Sequence, residues 1–540
     1  MIDVPNEIAH LPAWVRRRDG SQLPFEPDRI CQSLYAAASS LGIASALLTR
    51  ELTDVVLHFL AQERWETIPT TAELAEHVEK IVREVGQPEL ARRYAEGRRR
   101  WGKPTAKSIA VDRDEAPDRF VGRCLEAYAL QAIFTPDVAG AVTDGLLRLS
   151  GLDAPASLLS LLPETPRLAE IPWWLALDDW RAKGASRWII DSPEWLCTTH
   201  MHPVLTTGLR ECLFALPTLA QRDIEMHLNL AEPPAWSLAH AGQPLFSSDD
   251  EEVMQQERTG FLDSLLERWK TLETTKIPAI AWHLGEQSFQ NDTQRRQLHG
   301  LLRQALQGKP VRFIYDRPGT VPVLAEGLDR KCPGVLLEVG LDLAMLARRL
   351  EIGADGVAFL KRLPSLARLA VSAVQQKHRF LCGLPDNAPL RRSFLLDRVS
   401  AVVVPMGLHS VSKAITGERL TRSPLSLQFA AKILQTLQET LHAAGRALHL
   451  DLRLDSSAAV PEDSLSADDA MNSPRQQLEM AGKLHACAGA GTATLVLGED
   501  ASQDLDPLTE TLAWACTATG VTRLHLQSAA STLQQGELPI

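Results

Sequence analysis

The chain of 540 residues is 45% hydrophobic and 23% charged, an ordinary globular balance with length for two to four domains and at least one large core. A formal net charge of -11 and a pI near 5.8 argue against nucleic acid or an anionic membrane surface as a partner, since both reward a clustered basic excess. No secretory leader or spanning apolar run is visible, so a cytoplasmic protein is expected, and the 8 cysteines lack the paired spacing of a disulfide framework or a four-cysteine zinc site.

Val15 to Gly20 reads as a short strand closing on an Asp-Gly turn, with Leu23 to Phe25 as its return. Glu26-Pro27-Asp28 is an acidic, proline-bearing helix start, and Ile30, Leu34, Ala37 and Ala38 recur at helical spacing toward Leu41. A second amphipathic helix is expected from about Leu48 to Glu63. Pro69-Thr70-Thr71-Ala72-Glu73 offers a threonine cap with acid in the first turn, opening a third helix to Val85. A fourth runs from Pro88 to about Arg100. The hairpin contributes Arg16, Arg17 and Arg18, and the last helix Arg98, Arg99 and Arg100. Arginine forks and threonine hydroxyls suit a triphosphate, with a solvated basic face as the alternative.

Periodicity is then lost, and Pro, Lys and Asp accumulate, so the expected organisation is a small domain at 1–102, a linker at 103–118 and a large α/β domain at 119–540. In the large domain, "AIAWHL", "VRFIYD", "GVLLEVGL", "AVVVPMGL", "LHLDLRL", "ATLVLGE" and "RLHLQ" are strand-like runs separated mostly by amphipathic helices. So many β-α units favour a barrel or one large sheet.

Other constellations are weaker. Cys197, His200 and His202, with Asp191 and Glu194 upstream, offer metal-type ligands, but no second cluster supplies a clear fourth. Metal is therefore not expected. "GAGT" at 489–492 precedes a strand instead of following one, so a helix C-cap is expected there, not a dinucleotide fingerprint. Trp173, Trp174, Trp180, Trp188 and Trp195 read as a core layer, with an aromatic platform as the alternative. "PEDSLSADDAMNSP" at 461–474 reads as an acidic surface loop. No Ser-His-Asp, HExxH or P-loop signature appears.

"VRRRDGSQLPFEPDRI", "IPTTAELAEHVEKIV" and "ELARRYAEGRRR" resemble, in order and spacing, the ATP-cone, a regulatory ATP/dATP-binding domain found at the front of many ribonucleotide reductases. The resemblance spans residues 10 to 101 and implies nucleotide contacts from Arg17, Arg18, Arg29 and Thr70 or Thr71, with Arg98 as a further cation. Arg17 stands where the family usually has lysine. Later segments, among them "LQAIFTPDVAGAVTDGLLRLSGL" and "DGVAFLKRLPSLARLAVSAVQQKHRFL", resemble in their order the anaerobic (class III, glycyl-radical) ribonucleotide reductases.

That resemblance implies a reductase-like α/β barrel, and it also exposes departures. The family ends in a zinc site and a glycyl-radical loop, and the sequence stops about where that module begins. His409-Ser410 stands where the family prefers an Asn-Glu pair, and "GLLRLSGL" replaces the usual His-Asp pair. Cys332 is the candidate thiyl residue, with Cys382 and Cys487 as lesser ones. The expectation is an ATP/dATP-binding, reductase-like sensor or scaffold without radical chemistry or a radical cofactor of its own, acting as a homo-oligomer. The alternatives are a ribonucleoside-triphosphate reductase that takes its radical from a separate subunit, and a different enzyme or regulator built on the same barrel.

Overall fold

The computed structural model describes residues 11–65, 67–97, 117–163, 184–196, 224–230, 248–272, 279–350, 355–457, 473–497 and 504–528. The chain divides into two units, each taken by itself: Met1–Pro155 with Val339–Gly383 and Glu439–Leu452, and Ala156–Glu338 with Leu384–Gln438 and Arg453–Ile540.

The first unit opens with a hairpin, β1 (Trp14–Arg16) against β2 (Gln22–Pro24), with Trp14 opposite Pro24. Its turn needs Gly20 in the left-handed region at φ 85, where a side chain would be strained. Four helices follow as expected: α1 (Pro27–Ser40), α2 (Ala46–Gln62), α3 (Thr71–Glu84) and α4 (Pro88–Gly97). Ser45 caps α2 by accepting from the Leu48 N–H. Thr70 and Glu73 form a reciprocal capping box on α3, so two otherwise orphaned N–H groups at its start are satisfied. The apolar faces converge on one core, in which Leu34, Val56, Leu60, Val78 and Ala91 are sealed from solvent. Each buried Leu or Val contributes roughly 1.5–3 kcal/mol. Beyond the undescribed residues 98–116, where the expected linker mostly falls, come α5 (Pro117–Ala132) and α6 (Pro136–Thr143). A long helix, Gly356–Cys382, completes the main packing of this unit against α2 and α6.

The second unit is built on a sheet in the order β11-β10-β9-β4-β5-β6-β7-β8-β13-β12. These strands are β4 (Leu158–Leu161), β5 (Ala185–Asp191), β6 (Ile224–Asn229), β7 (Ala279–Leu284), β8 (Val311–Tyr315), β9 (Gly334–Asp342), β10 (Val399–Met406), β11 (Asp451–Leu454), β12 (Thr492–Leu497) and β13 (Arg523–Ser528). Strands β4 to β8 are mutually parallel. They are flanked by antiparallel neighbours, β9 on β4 and β13 on β8, while β12 runs parallel to β13. A short strand, β3 (Leu147–Leu149), pairs with the end of β9 within the first unit.

The two ends of the sheet order meet at one corner. Ser456, just beyond β11, donates its N–H to the Ala490 carbonyl at 2.9 Å, and Ser457 Oγ donates to Thr492 Oγ1 on β12 at 3.1 Å. The sheet is therefore rolled, in agreement with the first of the two forms expected from the repeated β-α units, a barrel or one large sheet, and with the barrel that the family resemblance implies. The seven strand-like runs noted in the sequence correspond to β7 to β13. Gly489 at φ 91 caps the helix Pro474–Ala488, as expected for "GAGT". Strands β4, β5 and β6 were not anticipated. β6 is buried along its whole length yet carries Glu225, His227 and Asn229, so its polar content hides it from a search for apolar alternation.

Candidate functional site

In the first unit, the hairpin lies against the start of α3. The Arg16 N–H donates to the Pro69 carbonyl at 2.9 Å, Arg16 Nη2 donates to the Ile68 carbonyl at 3.3 Å, and Arg16 and Thr70 form an isolated parallel bridge. This brings the tip of the hairpin, with its exposed Arg17 and Arg18, next in sequence to the strand that abuts Thr70. The tip is rigid. Arg17 N–H donates to the Ser21 carbonyl, and the Ser21 N–H and hydroxyl both donate to Asp19 Oδ1, at 2.9 and 2.6 Å. These bonds, with a smaller contribution from Arg17, hold the Asp19 carboxyl below its usual range.

Thr70 Oγ1 accepts from the Glu73 N–H at 3.2 Å, and the Thr70 N–H donates to Glu73 Oε2 at 2.7 Å. The capping bond uses a lone pair of Oγ1 and leaves its hydrogen able to donate. Thr71 opens the helix, where N–H groups and the macrodipole favour an anion. Arg29, in the first turn of α1, donates Nε to Glu26 Oε2 at 2.8 Å. Arg98 lies outside the described residues, as do Arg99 and Arg100. Arg17 and Arg18 thus directly follow the residue that bridges Thr70, Thr71 is the first residue of α3, and Arg29 sits at the N-terminus of α1 just beyond β2.

The second unit concentrates charge inside its rolled sheet. Residues 316–333, between β8 and β9, send a tight turn inward: Leu324, Ala325 and Leu328 are buried with Ile189, Val335 and Val402, and Ala325 bridges Leu328. The tip is Glu326-Gly327. Gly327 has φ 72, and a Cβ there would stand 3.0 Å from the Val402 Cβ, so only glycine fits this close approach. Its carbonyl accepts from Ser400 Oγ at 2.6 Å and Arg453 Nη1 at 3.1 Å. Glu326 accepts from Arg187 Nη2 at 3.1 Å and lies 3.9 Å from Arg523 Nη2, and these arginines pull its carboxyl down to about 2 against the opposing effect of burial.

Cys332 is not at that tip. It lies on the returning limb, partly buried, where its N–H and that of Lys331 both donate to Asp329 Oδ1 at 2.7 Å. Arg453 Nη1 holds the other oxygen of Asp329 at 2.7 Å. Cys382 is exposed at the end of its helix, and Cys487 occupies the last turn of the helix Pro474–Ala488.

A second polar cluster forms at the C-terminal ends of β5 to β8. His227 Nδ1 and His283 Nε2 lie 3.1 Å apart, and His283 Nδ1 is 2.9 Å from Asp316 Oδ1. A carboxylate only accepts, so His283 Nδ1 donates, and in the neutral pair His227 Nδ1 then donates to His283 Nε2. Burial, and then the neighbouring His283 and arginines, push the His227 pKa well down. Asp191 accepts from Arg330 Nε and Nη2 at 2.7 and 3.2 Å and from Ser192 Oγ at 2.8 Å. Glu194 Oε1 accepts from the Asn229 N–H and Nδ2 at 3.0 and 2.9 Å, while burial raises its carboxyl to about 7.

Asp191 and Glu194 are thus engaged by protein groups, and the described residues hold no group of three or more potential metal ligands. Cys197, His200 and His202 lie outside the described residues, as do Trp173, Trp174, Trp180 and most of the acidic stretch 461–474. Trp188 is buried, in keeping with a core role. His409 is buried in the first turn of the helix Leu408–Thr416. Sequence reasoning missed Glu326, Arg187, Arg523, His227 and His283. The visible hint was charge and imidazole within otherwise apolar strand runs, such as His283 in "AIAWHL".

Comparison with known proteins follows the same division. Residues 14–103 match the ATP cone domain family. No curated protein matches the chain. Among solved structures, an anaerobic ribonucleotide reductase is 11% identical, with 96% of this chain and 90% of that chain covered at a TM-score of 0.57. The anaerobic ribonucleotide reductase from Thermotoga maritima in complex with dATP and CTP is 12% identical, with 75% and 83% covered at a TM-score of 0.54. The same enzyme with citrate in the active site is 12% identical, with 94% and 100% covered, also at 0.54. Among the described residues, no helix is long and apolar enough to cross a membrane. The chain therefore carries an ATP-cone domain at residues 14–103 within the fold of the anaerobic ribonucleotide reductases.

Proposed function

We propose that the protein binds ATP or dATP at its cone as a regulatory effector, and that its barrel works as a sensor or assembly scaffold without radical chemistry of its own. The observation that carries the first half is the hydrogen-bonded hairpin tip, whose Arg17 and Arg18 are exposed and follow the Arg16 that bridges Thr70 at the capped start of α3. Guanidinium forks, a hydroxyl and a helix N-terminus are complementary to a polyphosphate. Arg29 and Arg98 complete the expected cation set. The Thermotoga maritima enzyme, with dATP bound in its specificity site, supports a deoxynucleotide as an effector class on this fold.

The second half is supported by the loop inside the barrel. Its tip is a carboxylate gripped by two arginines and a glycine packed on Val402, with Cys332 on the returning limb, held through its backbone. A thiyl radical needs a thiol aimed at substrate, and the tip carries no sulfur. Titration calorimetry on the full-length chain tests the nucleotide reading. Micromolar binding of ATP or dATP that is lost in Arg17→Ala and Arg18→Ala is expected. Wild-type protein that binds neither nucleotide overturns it.

A further inference from the structure

Glu26 stands between two arginines. Its Oε2 accepts from Arg29 Nε at 2.8 Å, and its Oε1 lies 3.7 Å from Arg379 Nη2 on the helix Gly356–Cys382. Two residues on, Asp28 Oδ1 accepts from Arg50 Nη1 and from Ser372 Oγ, each at 3.0 Å. Arg50 Nη2 reaches Ser372 Oγ at 2.5 Å and lies 3.7 Å from Asp137, with both Arg50 and Asp137 buried. Farther along, Asp54 accepts from Ser365 Oγ at 2.7 Å and pairs with Arg368 at 3.1 Å, and Glu51 pairs with Arg362. Ser365, Ser372 and Arg379 recur every seven residues, so one stripe of the long helix receives the acidic face of the cone.

The first turn of α1 therefore faces two ways. Arg29 is one of the cations proposed for the nucleotide, Asp28 is bonded to the long helix, and Glu26 contacts both Arg29 and Arg379. We propose that Glu26 is a switch between Arg29 and Arg379, so that nucleotide occupancy and docking of the cone on the helix Gly356–Cys382 are coupled. The inference rests on the cone being the nucleotide site. Glu26 engages Arg29 at Nε, so a phosphate drawn to the Arg29 guanidinium competes with the Glu26 carboxylate for its charge, and Arg379 is that carboxylate's other partner. Arg379 draws Glu26 away from Arg29 and favours the bound state, and by linkage the bound nucleotide strengthens the Glu26–Arg379 contact.

The test is a cycle of ATP affinities by calorimetry on the full-length protein, with unfolding midpoints measured alongside. Glu26→Gln removes the competing charge and is expected to tighten ATP binding about two- to fivefold, the range that exposed ion pairs support. Arg379→Ala is expected to weaken binding about twofold, Arg379→Lys to restore it, and Arg379→Ala to have no effect in a Glu26→Gln background. A merely structural role for Arg379 would not depend on Glu26. Wild-type affinity in Arg379→Ala, or equal weakening in both backgrounds, overturns the switch while leaving the nucleotide site standing. Absence of ATP binding in the wild type removes the nucleotide reading and the switch together.

Discussion

Asp455 Oδ2 lies 2.6 Å from Arg523 Nη2, and both side chains are buried. This pair ties the chain leaving β11 to the start of β13, at the corner where the two ends of the sheet meet. Ser457 and Thr492 supply further hydrogen bonds, from Arg523 Nη2 to Ser457 Oγ and from Arg523 Nε to Thr492 Oγ1. Removing Asp455 leaves the buried Arg523 with Glu326, 3.9 Å away, as its nearest remaining carboxylate, in a medium that solvates the charge poorly. Asp455→Ala is therefore expected to cost about 3 kcal/mol, the low end for a broken buried pair. Asp455→Asn keeps an acceptor and should cost less. Urea denaturation reads both, and an unchanged midpoint in Asp455→Ala would mean the corner is held by other contacts.

Thr70 serves both the fold and the proposed ligand. Its removal breaks the capping box with Glu73, so Thr70→Ala should lower stability by about 1 kcal/mol and weaken ATP binding in the same protein. Thr70→Ser retains the hydroxyl and should restore both. If Thr70→Ala lowers the melting temperature but leaves ATP affinity intact, the threonine is a cap alone and Thr71 becomes the relevant hydroxyl.

Glu194 gives the barrel unit a pH signature. Burial raises its folded pKa to about 7 from 4.5, and the Asn229 bonds only partly offset this. An acid with a raised folded pKa is destabilising once the unfolded chain can ionise, so its effect is absent below pH 4.5 and grows as pH rises toward 7. Glu194→Gln, which still accepts from Asn229, should match the wild type near pH 4.5 and exceed it in stability near pH 8. Equal stability differences at the two pH values would show that Glu194 ionises freely in the folded state.

The small domain was legible because local rules coincide there. An Asp-Gly turn, a Pro27 helix start and the Thr70–Glu73 spacing each have a short-range physical cause, and the observed ends of α1 to α3 fall within about two residues of those expected. The barrel strands from β7 onward were legible from apolar runs. The interior was not, because its logic is non-local: Glu326 meets Arg187 and Arg523 across 139 residues in one case and across the fold in the other. Nothing near Glu326 in sequence predicts those partners. Nor does any local signal tell that Cys332 sits on the returning limb and Glu326-Gly327 at the tip, since both lie within one short irregular segment.

Cys332 separates the scaffold reading from the reductase reading. In the scaffold, Cys332→Ser should bind ATP like the wild type and keep its unfolding midpoint, since the backbone N–H that Asp329 engages is unchanged. Purified protein supplied with a radical-generating partner subunit should consume no ribonucleoside triphosphate. Turnover that disappears in Cys332→Ser would overturn the silent barrel and make the returning limb the active segment.

The remaining expectation concerns assembly. A regulatory nucleotide acts only by binding two states unequally, and a change of association is one such pair of states. ATP and dATP differ by a single hydroxyl, so a cone that distinguishes them must place a polar group or a close packing contact at the ribose, and such discrimination is what would let the two bound forms differ in association. We expect light scattering on the full-length protein to give different mass-average sizes with saturating ATP and with saturating dATP. Arg17→Ala should abolish the difference, since its loss removes nucleotide from either form. Identical sizes with ATP, with dATP and without nucleotide would remove assembly as the readout, leaving the response to be carried within one chain along the contacts of α1 and α2 with the helix Gly356–Cys382.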